Sequence, residues 1–396
     1  MRKGWEYKKL GEVCCPKSKI QRATKCFGGS DEILYIDISS IDNSVQEVNS
    51  ITSFTMSNAP SRAQQKVEYG DIIVSTVRPN LKNVAVIKQH DSNLVVSSGF
   101  CVLRTTDDIE RNYLFRYITS DIFTQHLMKL TTGANYPAVR DLDVRDSTIP
   151  LPPLSTQIEI VSELDKINEL IRLKKEQLKD FDNLAQSLFY EMFGDPVENE
   201  KGWEVKKLGD CFSYIKNGAN IKQTKDVDGF PITRIETLAG GIFNRDRMGY
   251  AGIYDLSKYS AYVLESRDLL MSHINSKTYI GRTVEYKRNN DETIIHGMNL
   301  LRLKAIHDII DSTFFVYYTK SGDFKSKIAR IRKDAVNQSS FAISDLKRLN
   351  IPLPPLSLQR LFAQRIEQIE REKSEVQKSI QDLETLLASR MQYWFE

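Results

Sequence analysis

The residues best placed for metal-dependent phosphodiester chemistry are Asp268 and the triplet Glu285-Tyr-Lys287, which occur in the order of a nuclease site. In such a site two carboxylates hold a divalent cation and a lysine stabilises the attacked phosphate. Asp71, which lies in a similar apolar run in the first half of the chain, has no such triplet after it. Loose orders of this kind arise often in a chain that is 27% charged, so we do not favour a nuclease.

Other patterns of enzyme chemistry are missing from the sequence. The phosphate-binding pattern G-x-x-x-x-G-K-[ST], the dinucleotide pattern G-x-G-x-x-G, the zinc pattern H-E-x-x-H and the nucleophile elbow do not occur. The five histidines lack metal-ligand spacing, and the five cysteines form no C-x-x-C pair. No apolar run approaches the length of about 18 residues that a membrane span needs. We therefore expect a cytoplasmic protein without a metal or cofactor.

Two short motifs occur twice in the chain. Residues 149–157 (IPLPPLSTQ) return as residues 351–359 (IPLPPLSLQ), with eight of nine positions identical. The opening at residues 4–12 (GWEYKKLGE) returns at residues 202–210 (GWEVKKLGD). In the motif at residues 149–157 and 351–359 the prolines prevent helix, and a long heptad-like run follows each of its two copies. Each copy of this motif is therefore expected to be a rigid hinge that begins a long helix. The chain is therefore a duplication, which agrees with the two domains expected from its 396 residues.

The runs after the hinges carry apolar residues in the heptad pattern of helices that pack together. These residues are Ile160, Leu164, Ile167, Ile171, Leu178, Phe181, Ala185, Leu188 and Met192 in the first run, and Phe362, Ile366, Ile369, Val376, Ile380, Leu383, Leu387 and Trp394 in the second. One helix of about 37 residues, on the order of 55 Å long, cannot bury such a stripe alone. We expect the two helices to form an antiparallel coiled-coil spacer with pseudo-twofold symmetry.

The segments before the hinges are typical of α+β domains. Short β-rich runs at 33–38, 71–77, 83–87 and 100–103 alternate with turn residues, and a helical run follows at 111–130. The second copy repeats this order, with strands at 268–274, 282–286 and 299–303 and a helical run at 311–331. We therefore expect globular domains at 1–150 and 198–350, with spacer helices at 151–197 and 351–396. The second globular segment holds 25 basic and 19 acidic side chains, a net charge of +6.

The paired openings, the paired hinges and the duplication of the whole chain resemble the specificity (S) subunit of a type I restriction-modification enzyme. The resemblance implies a non-catalytic subunit with two target-recognition domains, each reading one half of a split site in double-stranded DNA. It also implies that the spacer helices dock two methyltransferase (M) subunits and that restriction (R) subunits join through the complex. Two alternatives remain open, a coiled-coil adaptor that binds proteins and a specificity subunit of a related type II system.

Reading of base edges favours Arg, Lys, Asn and Gln on exposed loops, and phosphate contacts favour Lys, Arg, Ser and Thr. Two stretches of each copy have this composition: residues 75–82 (STVRPNLK) with the loop before the first hinge, and residues 272–277 (SHINSK) with the loop before the second. The predicted DNA-binding residues are Thr76, Arg78, Asn80, Lys82, Asn135, Tyr136 and Arg140 in the first copy, and His273, Asn275, Ser276, Lys277, Arg330, Arg332, Lys333, Asn337 and Gln338 in the second.

Overall fold

The structure, a computed structural model, describes residues 4–132, 137–336 and 338–396. The described residues fall into two units by their contacts. Unit 1 is drawn from residues 4–175 and 378–396, and unit 2 from residues 176–377. Each unit therefore combines one α+β segment with part of both long helices, which agrees with the predicted fold class.

Unit 1 consists of short strands and helices, and its strands confirm all four strand predictions of the first copy. The strands are β1 (Glu6–Lys9), β2 (Glu32–Ile36), β3 (Ile41–Asp42), β4 (Glu47–Val48), β5 (Thr52–Thr55), β6 (Ala63–Lys66), β7 (Ile72–Ser75), β8 (Val84–Val86), β9 (Leu94–Ser97), β10 (Phe100–Leu103) and β11 (Thr148–Leu151). The helices are α1 (Leu10–Val13), α2 (Ala23–Cys26), α3 (Arg111–Thr119), α4 (Asp121–Leu130), α5 (Asp141–Arg145) and the first part of α6 (Leu154–Phe193).

A three-stranded antiparallel sheet in the order β10-β7-β8 lies at the centre of unit 1. Side chains of successive residues point to opposite faces of a strand, so an unbroken apolar strand is buried on both faces. Ile72 and Val74 accordingly join the core formed with α3, α4 and α6. Ile73 lies in a second core, formed with residues of β2 and β9 from the four-stranded sheet β5-β2-β9-β6.

Unit 2 repeats the order of the main elements, but more of its strands are only two residues long. The strands are β12 (Glu204–Lys207), β13 (Phe212–Asn217), β14 (Pro231–Ile232), β15 (Gly249–Tyr250), β16 (Leu269–Ser272), β17 (Ile274–Asn275), β18 (Thr283–Glu285), β19 (Leu300–Ala305), β20 (Lys333–Asp334), β21 (Ser339–Ser340) and β22 (Asn350–Leu353). The helices are α7 (Ser312–Lys320), α8 (Gly322–Ile331), α9 (Ile343–Lys347), α10 (Leu356–Phe395) and the second part of α6.

The central sheet of unit 2 has the order β13-β19-β16-β18 and is also covered on both faces. Leu269 and Met271 pack toward α7, α8 and the long helices, whereas Leu270 packs toward Leu238 and Leu264. The second face is thus covered largely by irregular chain between β14 and β16, where unit 1 has a second sheet.

The two helical runs predicted at 111–130 and 311–331 are confirmed as helical, but each is divided in the middle into two helices. Ser120 ends α3 and accepts a hydrogen bond from the Phe123 amide at 3.2 Å, which caps α4. Ser321 caps α8 in the same way by accepting from the Phe324 amide at 3.3 Å. A serine hydroxyl satisfies one of the amide groups that a helix start leaves without a partner, and it therefore favours a new start.

The duplicated opening and the duplicated hinge lie next to each other in both units. β1 pairs with β11, with Lys8 opposite Ile149, and β12 pairs with β22, with Lys206 opposite Ile351. The first residues of each hinge are therefore a β-strand, and the long helix begins within the motif at Leu154 or Leu356. The two most similar stretches of the copies form one structural element in each unit.

The long helices α6 and α10 run antiparallel within each unit, as predicted. In unit 1, Lys175 Nζ lies 2.8 Å from Glu384 Oε1, and the Trp394 indole donates to Glu163 at 3.0 Å. In unit 2, Lys373 Nζ lies 2.7 Å from Asp182 Oδ1. Heptad residues of both helices are buried, among them Ile160, Leu164, Ile167, Ile171, Ala185, Phe362, Ile366, Ile369, Val376 and Ile380.

Candidate nucleic-acid interface

In unit 1, residues 76–82 form the turn between β7 and β8. Arg78 and Lys82 both have a φ of 50°, a left-handed backbone conformation that residues other than glycine rarely adopt. The Thr76 hydroxyl donates a hydrogen bond to the Gly99 carbonyl at 2.8 Å, which ties the start of the turn to the neighbouring strand. The sheet therefore holds the polar turn in one conformation.

The two predicted segments of unit 1 lie side by side, joined by backbone hydrogen bonds. The Arg78 amide donates to the Pro137 carbonyl at 2.7 Å, and the Val139 amide donates to the Thr76 carbonyl at 2.9 Å. Arg140, the next residue, is exposed. Segments that are distant in sequence thus form one polar surface in space.

Two predicted cations of unit 1 have acidic partners within the unit. Lys82 Nζ lies 2.7 Å from Asp121 Oδ1, and Arg140 lies 2.7 Å from Asp143. The hydrogen bond from Arg140 lowers the pKa of the Asp143 carboxyl. A cation whose charge is already balanced attracts a phosphate less strongly, so these pairs reduce the positive potential of this surface.

In unit 2 the predicted segments meet in a small antiparallel sheet with the order β17-β21-β20. Ile274 and Lys333 both face Ser340 of the middle strand. Ser276 and Lys277 follow β17 directly. The structure therefore brings the two predicted segments together in unit 2 as well.

One carboxylate organises the charges at this sheet. Asp334 lies 3.0 Å from Lys277 Nζ and 3.1 Å from Arg332 Nε. Hydrogen bonds from Ser339 and Lys277 lower the pKa of the Asp334 carboxyl. The two cations share a single acidic partner, so the cluster keeps a net positive charge.

Two of the residues predicted to bind DNA in unit 2, His273 and Asn275, are partly or fully enclosed by the protein. The His273 ring is buried, and burial lowers its pKa to about 4, so the ring is neutral near pH 7. The Asn275 amide donates to the Ser272 hydroxyl at 3.1 Å and accepts from the Ser276 amide at 2.8 Å, which fixes the turn. The polar group of Asn275 therefore acts first on the protein itself, and the His273 ring is enclosed by the protein.

The predicted residues therefore differ widely in exposure. The exposed ones are Arg78, Asn80, Arg140, Ser276, Lys277, Arg330, Lys333 and Gln338. Thr76, Lys82, Asn275 and Arg332 are half-buried, and Asn135, Tyr136 and Asn337 lie outside the described residues.

A cleft of about 780 Å³ in unit 1 adds residues that the sequence analysis missed. It is lined by Lys17, Gln21, Arg22, Lys25, Gln64, Gln65 and Thr76, among others. Basic and amide side chains of this kind suit phosphate and base-edge contacts. The sequence held a usable signal, since residues 13–30 contain four basic residues and no acidic one.

The residues with nuclease-like order have other partners. Asp268 lies 2.6 Å from Arg302, and Glu285 accepts a hydrogen bond from the Thr313 hydroxyl at 3.1 Å. Within the part of the chain that the structure describes, no group of three or more His, Cys, Asp or Glu residues could hold a metal ion. No helix among the described residues is long and apolar enough to cross a membrane.

A known protein family matches both halves of the chain. The sequence model of the family described as "Type I restriction modification DNA specificity domain" matches residues 2–180 and 200–385. The two matches cover most of the chain and follow the internal duplication.

Two curated proteins and one solved structure are similar to the chain. A protein of Methanocaldococcus jannaschii assigned as the specificity subunit of the type I restriction enzyme MjaX is 37% identical over 186 residues, or 47% of this chain and 44% of that protein. The type I restriction enzyme StySPI specificity subunit of Salmonella potsdam is 24% identical, over 84% of this chain and 74% of its own length. A structure from a study of complex assembly and conformational transition of the type I R-M system is 28% identical, with a TM-score of 0.68 over 99% of this chain and 97% of its own.

Proposed function

We propose, from the premise that this chain belongs to the type I restriction modification DNA specificity family, that each unit reads one half of a split site in double-stranded DNA. In this proposal residues 1–150 and 198–350 are the two recognition domains, and residues 151–197 and 351–396 are the spacer. Duplicated readers with diverged surfaces suit two half-sites of different sequence. Half-sites about one helical turn apart lie on the same face of the duplex, so a stiff connection between readers is needed.

The observation that carries the proposal is the joining of two separately predicted polar segments in each unit. In unit 1 the turn at Arg78 is hydrogen-bonded to the loop that leads to Arg140. In unit 2 the segment at Lys277 and the segment at Lys333 belong to one three-stranded sheet. Each surface projects exposed Arg, Lys, Asn or Gln side chains from a rigid backbone, which direct readout of bases requires.

The long helices supply surface for protein partners. Leu170 and Leu173 of α6 are 47% and 46% exposed although α10 packs on the same helix. Exposed apolar side chains close together on a helix mark a surface for another protein. We assign this surface to docking of two methyltransferase subunits, with restriction subunits joining through the complex. Methylation and cleavage then belong to the partners, and the chain itself is a non-catalytic subunit.

The proposal is tested by the sequence specificity of DNA methylation. The chain is purified with its methyltransferase subunits, and methylated positions are mapped by sequencing. We expect methylation at a split motif that depends on this chain. The same pattern of methylation from the methyltransferase subunits alone would contradict the proposal.

Single substitutions test whether the two units read independently. Arg78→Ala in unit 1 should relax one half of the motif, and Gln338→Ala in unit 2 should relax the other half. Both side chains are exposed, so the fold is retained. Asp226→Ala, at an exposed loop residue of unit 2, serves as the control. Equal relaxation of both halves by either variant would argue against independent readers.

A further inference from the structure

Unit 2 also contains a cavity lined by basic residues, next to the β17-β21-β20 sheet. The cavity has a volume of about 380 Å³ and is lined in part by Lys277, Arg282, Lys325 and Arg332. No acidic residue is among its lining residues. Lys277 and Arg332 also belong to the proposed DNA-reading surface, so the cavity is continuous with that surface.

The four cations are only partly neutralised by the protein. Asp334 is the shared partner of Lys277 and Arg332. The Arg282 guanidinium donates to the Leu238 carbonyl at 3.2 Å and lies 4.4 Å from the centre of the Tyr279 ring, neither of which carries a negative charge. Lys325 is exposed and forms no ion pair with an acidic side chain among the described residues. Four positive charges therefore face one carboxylate.

Lys320 is a fifth basic residue of the lining, but its ammonium group is directed elsewhere. Lys320 Nζ lies 4.0 Å from the centre of the Tyr317 ring, and Tyr317 packs against Phe362 of α10. We therefore do not count this charge toward the cavity.

Unit 1 has the same backbone arrangement without the cavity. Lys82 and Gly281 both have positive φ, 50° and 82°, and both lie just before the equivalent strands β8 and β18. Asp121 and Gly322 are both the first residues of the equivalent helices α4 and α8. Unit 1 thus has a lysine and an aspartate where unit 2 has two glycines.

The side chains of unit 1 occupy the space that is open in unit 2. Lys82 Nζ lies 2.7 Å from Asp121 and 3.1 Å from the Thr119 carbonyl. The remaining cavity, lined by Lys82, Phe123 and Leu127 among others, measures only about 10 Å³. Unit 1 therefore carries the Lys82–Asp121 ion pair in this place, and unit 2 carries an open, positively charged space.

We infer that this cavity of unit 2 binds a phosphate group. Arginine matches the oxygen atoms of phosphate with paired hydrogen bonds, and lysine adds charge without a fixed direction. The inference rests on the proposed function in taking the DNA backbone beside the half-site of unit 2 as the source of the phosphate. Free inorganic phosphate offers the same chemistry, and the experiment separates the two sources.

The first arm measures DNA affinity of the complex with its methyltransferase subunits as a function of salt. Lys325→Gln should weaken DNA binding about tenfold and reduce the slope of log affinity against log salt by about 1. The slope falls because the variant makes one phosphate contact fewer, so fewer counterions are released from the DNA on binding. Arg282→Gln is an independent second variant. Lys129→Gln removes an exposed lysine from α4 of unit 1 and should leave the slope unchanged.

Methylphosphonate substitution of the duplex then locates the contact. Replacing one phosphate at a time with an uncharged group should weaken the unaltered complex at one position near the half-site of unit 2. The same replacement should have no further effect on the Lys325→Gln complex. Equal losses in both complexes at every position would overturn DNA as the source.

The second arm titrates the chain with inorganic phosphate and follows its ³¹P resonance and the melting temperature. A phosphate-dependent shift that is lost in Lys325→Gln, together with normal DNA binding by that variant, would identify free phosphate as the ligand. If neither Lys325→Gln nor Arg282→Gln had an effect in either arm, the inference that this cavity binds phosphate would be wrong. A complex that binds no DNA sequence specifically would instead contradict the proposed function, and the phosphate arm would still test the cavity.

Discussion

Gln157 in unit 1 and Gln359 in unit 2 have the same surroundings, although the outer faces of the two central sheets are covered differently. Gln157 accepts from the Glu110 amide at 2.8 Å and donates to the Pro152 carbonyl at 2.8 Å. Gln359 accepts from the Asp311 amide at 2.9 Å and donates to the Pro354 carbonyl at 2.8 Å. These bonds tie the hinge to the start of a helix in each unit. The duplicated sequence is thus explained by a shared structural task, whereas the diverged parts carry the candidate interfaces.

The central sheets show how a shared feature is altered between the units. Asp71 forms two hydrogen bonds of 2.8 Å with Arg104, and Asp268 lies 2.6 Å from Arg302. The Arg104 side chain is 26% exposed, whereas that of Arg302 is only 3% exposed. Both units keep the ion pair, but the arginine of unit 2 is sealed from water.

The largest predicted difference between the units concerns these ion pairs. Asp268→Ala should destabilise unit 2 by about 3 to 5 kcal/mol, because it leaves the buried Arg302 without its closest carboxylate. Asp71→Ala should cost less, about 2 kcal/mol, because Arg104 is partly solvated and lies 3.1 Å from Glu68. Hydrogen exchange resolved by peptide measures each unit separately. Equal losses of stability in the two variants would show that burial of the arginine does not make the ion pair of unit 2 more important for stability than that of unit 1.

Acid should destabilise unit 2 more than unit 1. Burial lowers the pKa of His273 to about 4 and that of His296 to about 3. Because the unfolded histidines titrate near pH 6.5, the unfolded state binds more protons below that pH, and stability falls as the pH is lowered. Between pH 7.5 and pH 5 the loss should be about 2 kcal/mol per histidine. His90 and His126 of unit 1 are exposed.

Urea unfolding at the two pH values, followed by Trp203 fluorescence in a Trp5→Phe/Trp394→Phe background, measures this loss in unit 2. His273→Thr introduces the residue of the equivalent position in unit 1 and should remove about half of the pH dependence. Carboxylates with lowered pKa, such as Glu292 at about 2, titrate below this window. An unchanged pH dependence in His273→Thr would exclude this histidine as a source.

The hinge glutamines should give equal effects in the two units. Gln157→Ala and Gln359→Ala each leave a backbone amide and a buried carbonyl without the side-chain partner, which costs about 1 to 3 kcal/mol. Peptide-resolved hydrogen exchange should show faster opening of α3 in the first variant and of α7 in the second. Clearly different losses of stability in the two variants would mean that the equivalent hydrogen bonds do not stabilise the two units equally.

The elements that repeat in sequence could be predicted, because two copies give the same pattern twice. The strands β7 and β16, the hinges and the heptad residues of α6 and α10 all follow from apolar spacing and prolines. The breaks at Ser120 and Ser321 were missed, because a continuous apolar period hides a capping serine inside it. The pairing of the opening strand with the hinge was also missed, since it joins residues far apart in the chain.

The candidate interface could be predicted only as a pair of segments. Composition identified the turn at Arg78 and the strands around Lys277, but it could not distinguish an exposed side chain from a buried one. His273 is an example, since its polar ring is enclosed by residues such as Phe341. The basic cleft at Lys17 and Arg22 was missed because its lining comes from stretches that are far apart in the chain and that only the fold brings together.

The smallest predicted effect distinguishes the two ways in which Lys82 can act. The Asp121 side chain of its ion pair is 77% exposed, so a double-mutant cycle of Lys82→Ala and Asp121→Ala should give a coupling below about 1 kcal/mol. If the pair only fills the place that is open in unit 2, Lys82→Ala should leave DNA affinity and its salt dependence nearly unchanged. A loss of affinity as large as that of Lys325→Gln would instead place Lys82 among the DNA contacts, as its sequence context predicts. The two units would then both use a cation at this position, unit 1 from the turn and unit 2 from the helix.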